Sequence, residues 1–229
     1  MPARRQAGVV RHASRVKKQI HEVKMKKREA LIKRKTKETD ISGKINIDGQ
    51  GKSDIKTGID FLDHMLTLFA FHGLFDLTLK AKGDLGVDLH HTNEDVGITL
   101  GKAFKEALGD CAGIKRFGSA SVPMDEASAK VIIDIGGRYS FNVSCVNNAI
   151  PMESLFKIAD KEYSGKDALD FFETCAKNMG INLNIEYSAG KDLHHTLEAI
   201  FKAFGIALDQ ATQIDPRRKG VPSTKGVID

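Results

Sequence analysis

Apolar residues recur at helical spacing in four stretches of this chain, and the stretches fall into two matching pairs. The first pair is GIDFLDHMLTLFAFHG (58–73) and KDALDFFETCAKNMG (166–180). The second pair follows two copies of one signature, HHTNE at 90–94 and HHTLE at 194–198, which lie 104 positions apart. After the first copy, Val96, Leu100, Ala103, Phe104 and Leu108 line one helical face. After the second, Ile200, Phe201, Phe204 and Leu208 do the same. Between the helices the pattern switches to alternation. LFDLTLKAKG (74–83) and INLNIEYSAG (181–190) read as strands, each set between a helix and an HHTxE segment. TDISGKINID (39–48) supplies earlier strand material for the first half, and AKVIIDIGGRYSFNVSC (129–145), broken at Gly136–Gly137, supplies it for the second. The pattern predicts two similar α+β halves meeting near residue 120, with helices covering one face of each sheet.

Composition narrows the class without changing that outline. At 229 residues with 41% hydrophobic and 28% charged positions, the chain has an ordinary globular balance, and no apolar run reaches the roughly 20 residues of a membrane-spanning helix. The cysteines Cys111, Cys145 and Cys175 are odd in number and form no CxxC pair. This argues against a disulfide framework or a thiolate zinc site and predicts a reducing, cytoplasmic setting. The net charge of +5 is unevenly spread. Residues 1–37 hold 14 Lys and Arg against Glu22 and Glu29, whereas the remainder holds 21 against 28 acids. The pI near 9 therefore belongs to a basic leader on a mildly acidic body. Nucleic-acid binding through that leader is opposed by the acidic body, and residues 1–24, which precede a possible start at Met25, are expected to be a dispensable solvated extension.

The chemistry sits in the repeat. Six of the eight histidines lie in the paired helices. On a helix, His90 and Glu94 project together, as do His194 and Glu198, so each pair can clamp one ion. The second imidazole of each doublet, His91 or His195, points about 100° away and suits a different ion. Two clamps and two spare imidazoles predict two metal sites, with His64 as the nearest further ligand. Nitrogen and oxygen donors without thiolate favour Mn²⁺, Fe²⁺, Zn²⁺ or Ni²⁺. A second constellation suits an anion: DPRRKGVPSTKGV (215–227) sets Arg217, Arg218, Lys219, Ser223, Thr224 and Lys225 among turn residues, while Arg116 and Arg138 each neighbour glycine. No GxxxxGK[ST] or GxGxxG is present. A metal-storage shell would use the HHTxE clusters alone and leave the anion-binding stretch without a purpose.

RKTKETDI (34–41), FLDHM (61–65), GDLGVDLHHTNEDVGITLGKA (83–103), RFGSASVPMDEA (116–127), HHTLEAIFKAFGIAL (194–208) and DPRRKGVPSTKGV, taken in order, resemble the imidazoleglycerol-phosphate dehydratase family. The resemblance runs from about residue 28 to the C-terminus. It implies a basic leader over 1–27 and two halves, 28–120 and 121–229, related by a pseudo-twofold. Each half would be a four-stranded sheet with two helices on one face. It implies dehydration of imidazole glycerol phosphate to imidazole acetol phosphate in histidine biosynthesis, with two Mn²⁺ per active site. The assembly implied is a homo-oligomer of 24 subunits with sites between subunits.

The family pattern assigns His64, His91, His194 and Glu198 to one ion and His90, Glu94, His195 and Asp170 to the other. Substrate contacts fall on Glu38, His72, Arg116, Arg138, Lys202, Ser223 and Lys225, the last five toward the phosphate. Two positions depart from the pattern: Asp170 stands where many relatives have His, and Leu68 where many have Gln. In the implied mechanism the substrate's imidazole is held as imidazolate, charge expels the neighbouring hydroxyl, and proton loss gives an enol that becomes the ketone. Glu198 and His64 are the expected catalytic groups, although a carboxylate cannot be assigned from sequence as both ligand and base.

Overall fold

A computed structural model describes residues 27–146, 163–188 and 191–228. Residues 1–26 of the leader lie outside the described residues. Two sheets of four strands each carry the same topology. In the first, β1 (Glu29–Lys35), β2 (Thr39–Asn46), β3 (Ser53–Lys56) and β4 (Asp76–Gly83) are ordered β1-β2-β4-β3. In the second, β5 (Phe117–Met124), β6 (Ala127–Asp134), β7 (Ser140–Cys145) and β8 (Asn182–Ser188) are ordered β5-β6-β8-β7. The hairpins are antiparallel, and the inserted strand of each half, β3 or β7, pairs parallel to β4 or β8. A parallel pair needs a crossover, which helix α1 (Asp60–His72) supplies in the first half and α3 (Gly165–Met179) in the second. Each half closes with its HHTxE helix, α2 (His90–Leu108) or α4 (Leu193–Thr212). The expected boundary at residue 120 cuts through β5, which belongs wholly to the second sheet, so the second half begins at Phe117.

Helix α2 packs on β1 and β2, and α4 packs on β5 and β6. The helices also pair across the halves, α1 against α4 and α2 against α3, so one hydrophobic core spans both. Phe69 of α1 stacks on Phe204 of α4 at 5.1 Å, and Phe172 of α3 meets Phe201 at 4.6 Å. Burying each such ring contributes about 1.5–3 kcal/mol. Close approach of the helix pairs depends on glycine. A Cβ at Gly101 would lie 2.6 Å from the Cys175 carbonyl oxygen, and one at Gly205 would lie 2.5 Å from that of Phe69. Among the described residues, no helix is long and apolar enough to cross a membrane.

Candidate active site

Both HHTxE helices start in the same way, because both copies extend to Asp-Leu-His-His-Thr. The Asp88 carboxylate accepts the backbone N–H of His90 at 3.0 Å, and Asp192 accepts that of His194 at 2.8 Å. Each aspartate satisfies a donor that the first turn would leave unpaired, and so fixes the entry of the imidazole doublet. In the second half the result is a tight cluster. One oxygen of Glu198, Oε1, lies 2.9 Å from His194 Nε2 and 3.0 Å from His64 Nε2, the latter carried across from α1. The other oxygen accepts a hydrogen bond from Lys202 Nζ at 2.7 Å. Burial alone would raise the Glu198 pKa, but Lys202, His64 and His194 outweigh it and bring it down to about 2. Glu198 is therefore an ionised, nearly buried carboxylate at neutral pH.

The cluster opens on a cleft of about 800 Å³ whose walls include His64, His194, Phe61, Tyr163 and the loop residues Leu85 and Val87. Phe61 meets His194 in a T-shaped contact at 5.2 Å and stacks on Tyr163 at 5.3 Å. Tyr163 is held by donating to Asn93 Oδ1 at 3.0 Å, which ties α3's start to α2.

The first half forms a looser counterpart. His90 Nε2 lies 3.9 Å from Glu94, and His90 Nδ1 lies 3.5 Å from Asp170 Oδ2. Asp170 is also paired with Lys166 at 2.5 Å. The spare imidazoles do not join the clusters assigned to them. His91 Nδ1 meets Asp84 Oδ2 at 3.1 Å, and His195 Nδ1 meets Glu126 Oε2 at 3.1 Å. Asp84 raises the His91 pKa, and Glu126 raises that of His195. Glu126, held low by its own backbone N–H and then by His195, has a pKa of about 2. Among the described residues, the groups of three or more donors close enough to share an ion are His64, His194 and Glu198, and Asp125, Glu126 and His195. A single chain thus gathers three of the four residues expected at the first ion, short of His91, whereas His90, Glu94 and Asp170 do not come together as one such group.

The residues expected to meet the phosphate lie on separate parts of the chain: before β5, between β6 and β7, on α4 and in the C-terminal segment. Arg116 was expected to contact phosphate, and its contacts within the chain are structural. Nε and Nη2 form a two-pronged pair with Asp134 at 2.6 and 3.0 Å, and Nη1 donates to the Pro222 carbonyl at 3.0 Å. That bond anchors the C-terminal segment carrying Ser223, whose Oγ accepts the Lys225 N–H at 3.2 Å. Arg138, Lys225 and Glu38 are exposed. Lys202 is largely enclosed and committed to Glu198 and the Met124 sulfur. Partial desolvation, then the Lys202 charge, pushes the His72 pKa down, which places these two groups within electrostatic reach. Leu68 is half-buried against the core. Sequence reasoning missed Asp84, Glu126, Asp134 and Tyr163. For Asp84 the available signal was an acid seven residues before His91; the others carry none, because their contacts are made only by folding.

The sequence model described as imidazoleglycerol-phosphate dehydratase matches residues 57–208. A relative of that name from Thermoanaerobacter sp. (strain X514) is 52% identical over 201 residues, covering 88% of this chain and 100% of its own. Another, from Geobacter metallireducens, is 51% identical with 88% and 99% covered. Among solved structures, the imidazoleglycerol-phosphate dehydratase of Staphylococcus aureus subsp. aureus N315 superposes with a TM-score of 0.68 at 33% identity, covering 82% of this chain and 99% of that one. The Pyrococcus furiosus enzyme gives 0.69 at 37%, with 86% and 99% covered. With its duplicated fold, its histidine–carboxylate clusters and this coverage, the chain belongs to the imidazoleglycerol-phosphate dehydratase family and is a hydro-lyase.

Proposed function

We propose that this chain dehydrates imidazole glycerol phosphate to imidazole acetol phosphate in cytoplasmic histidine biosynthesis, using two Mn²⁺ per active site in a homo-oligomer of 24 subunits. The observation that carries the reading is the convergence of His64, His194 and Glu198 at the mouth of the cleft. Their donor set fits a divalent cation, because two imidazole nitrogens face one ionised carboxylate oxygen within 3.0 Å. His64, His194 and Glu198 would hold one ion with His91 of a second copy. His90, Glu94 and Asp170 would hold the other with His195 of a second copy, so that a neighbouring copy supplies one imidazole to each ion. When bound, the ions supply positive charge that stabilises the substrate's imidazole as imidazolate.

The remaining work falls to the chain. The reaction removes hydroxide from the carbon attached to the ring and a proton from the next carbon, giving an enol that becomes the ketone; one water is lost. His64 lines the cleft, Glu198 lies 3.0 Å from it, and the two serve the proton transfers. Lys202 keeps Glu198 ionised and oriented. Arg138, Ser223, Lys225, Lys202 and the free N–H groups of Arg116 serve the phosphate, with Glu38 and His72 contacting the rest of the substrate. Free thiols at Cys111 and Cys175 agree with a reducing compartment. The test is direct: metal-free protein, given Mn²⁺ and imidazole glycerol phosphate, should release imidazole acetol phosphate. No product would overturn the assigned substrate, and full turnover in the presence of chelator would overturn the role of metal.

A further inference from the structure

Building on that proposed function, we infer that Asp84 and Glu126 are positioning residues that aim His91 and His195 at ions completed by another copy of the chain. Two kinds of histidine–carboxylate contact exist in the structure, and they differ in the ring nitrogen used. His64 and His194 turn Nε2 toward Glu198, so all three donors converge inside one chain. His91 and His195 instead donate Nδ1–H to Asp84 and Glu126, each at 3.1 Å. That contact fixes the neutral tautomer that leaves Nε2 with its lone pair, and it orients the ring.

The two carboxylates hold different places in the repeat. Asp84 follows β4, whereas Glu126 stands in the turn from β5 to β6. Duplication alone therefore does not supply the pair, and each half reaches the same contact by its own route. Asp84 commits Oδ2 to His91 and keeps Oδ1 buried without a hydrogen-bond partner among the described residues. Leaving that oxygen unpaired is costly, and the contact that the arrangement retains is the one to the His91 ring. Glu126 does two things: Oε2 takes His195, and Oε1 accepts the backbone N–H groups of Lys191 at 2.8 Å and Asp192 at 3.3 Å. It thereby locks the ring to the start of α4. The exposed Asp125 carboxylate, 3.5 Å from His195 Nε2, is the other acid facing this ring.

The experiment titrates metal-free wild-type protein and variants with Mn²⁺, reading free ion by electron paramagnetic resonance, with circular dichroism to confirm folding. Wild type should bind two ions per chain. Asp84→Ala and Glu126→Ala should each weaken one ion by about 10–100-fold and leave the other unchanged, and the double variant should weaken both. Asp84→Asn and Glu126→Gln, which preserve size and, for Gln, an acceptor for the Lys191 and Asp192 N–H groups, should lie between. Wild-type affinity in the Ala or amide variants would overturn the inference, as would equal weakening of both ions by a single substitution, which would mark general damage. Wild type that binds no Mn²⁺ would remove the proposed metal function and this inference together; two ions in wild type with unperturbed variants would remove this inference alone.

Discussion

Gly101→Ala tests whether close helix packing sets the geometry of the first cluster. At an exposed helix position, this change should stabilise by about 1 kcal/mol, the difference in intrinsic propensity. Here the new Cβ would lie 2.6 Å from the Cys175 carbonyl oxygen, 2.9 Å from Asn178 Cβ and 3.1 Å from the Met179 nitrogen. Two of these three are backbone atoms of α3, which no rotamer change can move. Ordinary contact needs about 3.4 Å, so α2 and α3 must part by about 0.8 Å. Overpacking of this kind costs about 1–3 kcal/mol, which offsets the propensity gain and leaves a net loss of up to about 2 kcal/mol. The same displacement carries His90 on α2 away from Asp170 on α3, now 3.5 Å apart. Urea unfolding at fixed protein concentration, with and without saturating Mn²⁺, measures the loss, and the Mn²⁺ requirement for turnover should rise with it. A variant stabilised by about 1 kcal/mol would refute the packing argument.

Two further outcomes follow from named contacts. Asp170→Asn keeps the side chain's size but removes its charge, and it should raise the Mn²⁺ concentration for half-maximal turnover by roughly tenfold, with phosphate recognition unchanged; an unaltered Mn²⁺ requirement would make Asp170 a bystander tied to Lys166. Asp76 accepts the backbone N–H groups of Gln50 and Lys52, and the Gln50 bond foremost lowers its pKa below the usual 3.8. Because the folded pKa is the lower one, its contribution is complete above about pH 4 and disappears as pH falls through the folded value. Asp76→Ala should therefore cost about 1 kcal/mol at pH 7 and progressively less in acid, by urea unfolding across pH; a pH-independent loss would contradict the assignment.

The parts of the fold that were legible share a strong internal signal. Helices α1 to α4 are long and amphipathic, and β4 and β8 alternate cleanly, so the duplication could be read from HHTNE and HHTLE. Strand β3 has four residues, mostly exposed, and lies in the crossover, where neither length nor burial marks it. Strand β1 reads EALIKRK, an edge strand whose charges mask its alternation; Arg34 is satisfied only by reaching Asp95 on α2. Strand β5 holds small residues and Pro123, which is why a boundary at 120 looked open. At the site, i and i+4 spacing predicted the His194–Glu198 contact, but nothing local told that His64, 134 residues earlier, would share the same oxygen. Arg116 is a second case: folding brings Asp134 and the Pro222 carbonyl to its guanidinium, partners that the glycine beside it does not foretell. Long-range pairing of this kind depends on how elements distant in sequence pack against one another, which spacing along the chain does not carry.

Subunit complementation tests the central claim most directly, since the chain gathers His64, His194 and Glu198 but holds His91 apart on Asp84. His91→Ala and His194→Ala should each be inactive alone, because every site then lacks a ligand. Mixed in equal amounts without metal and reassembled with Mn²⁺, they should recover about a quarter of wild-type turnover, the fraction of two-copy sites that draw both intact contributions by chance. Activity no greater than the sum of the separate variants would show that the sites are not shared between copies and would contradict the account.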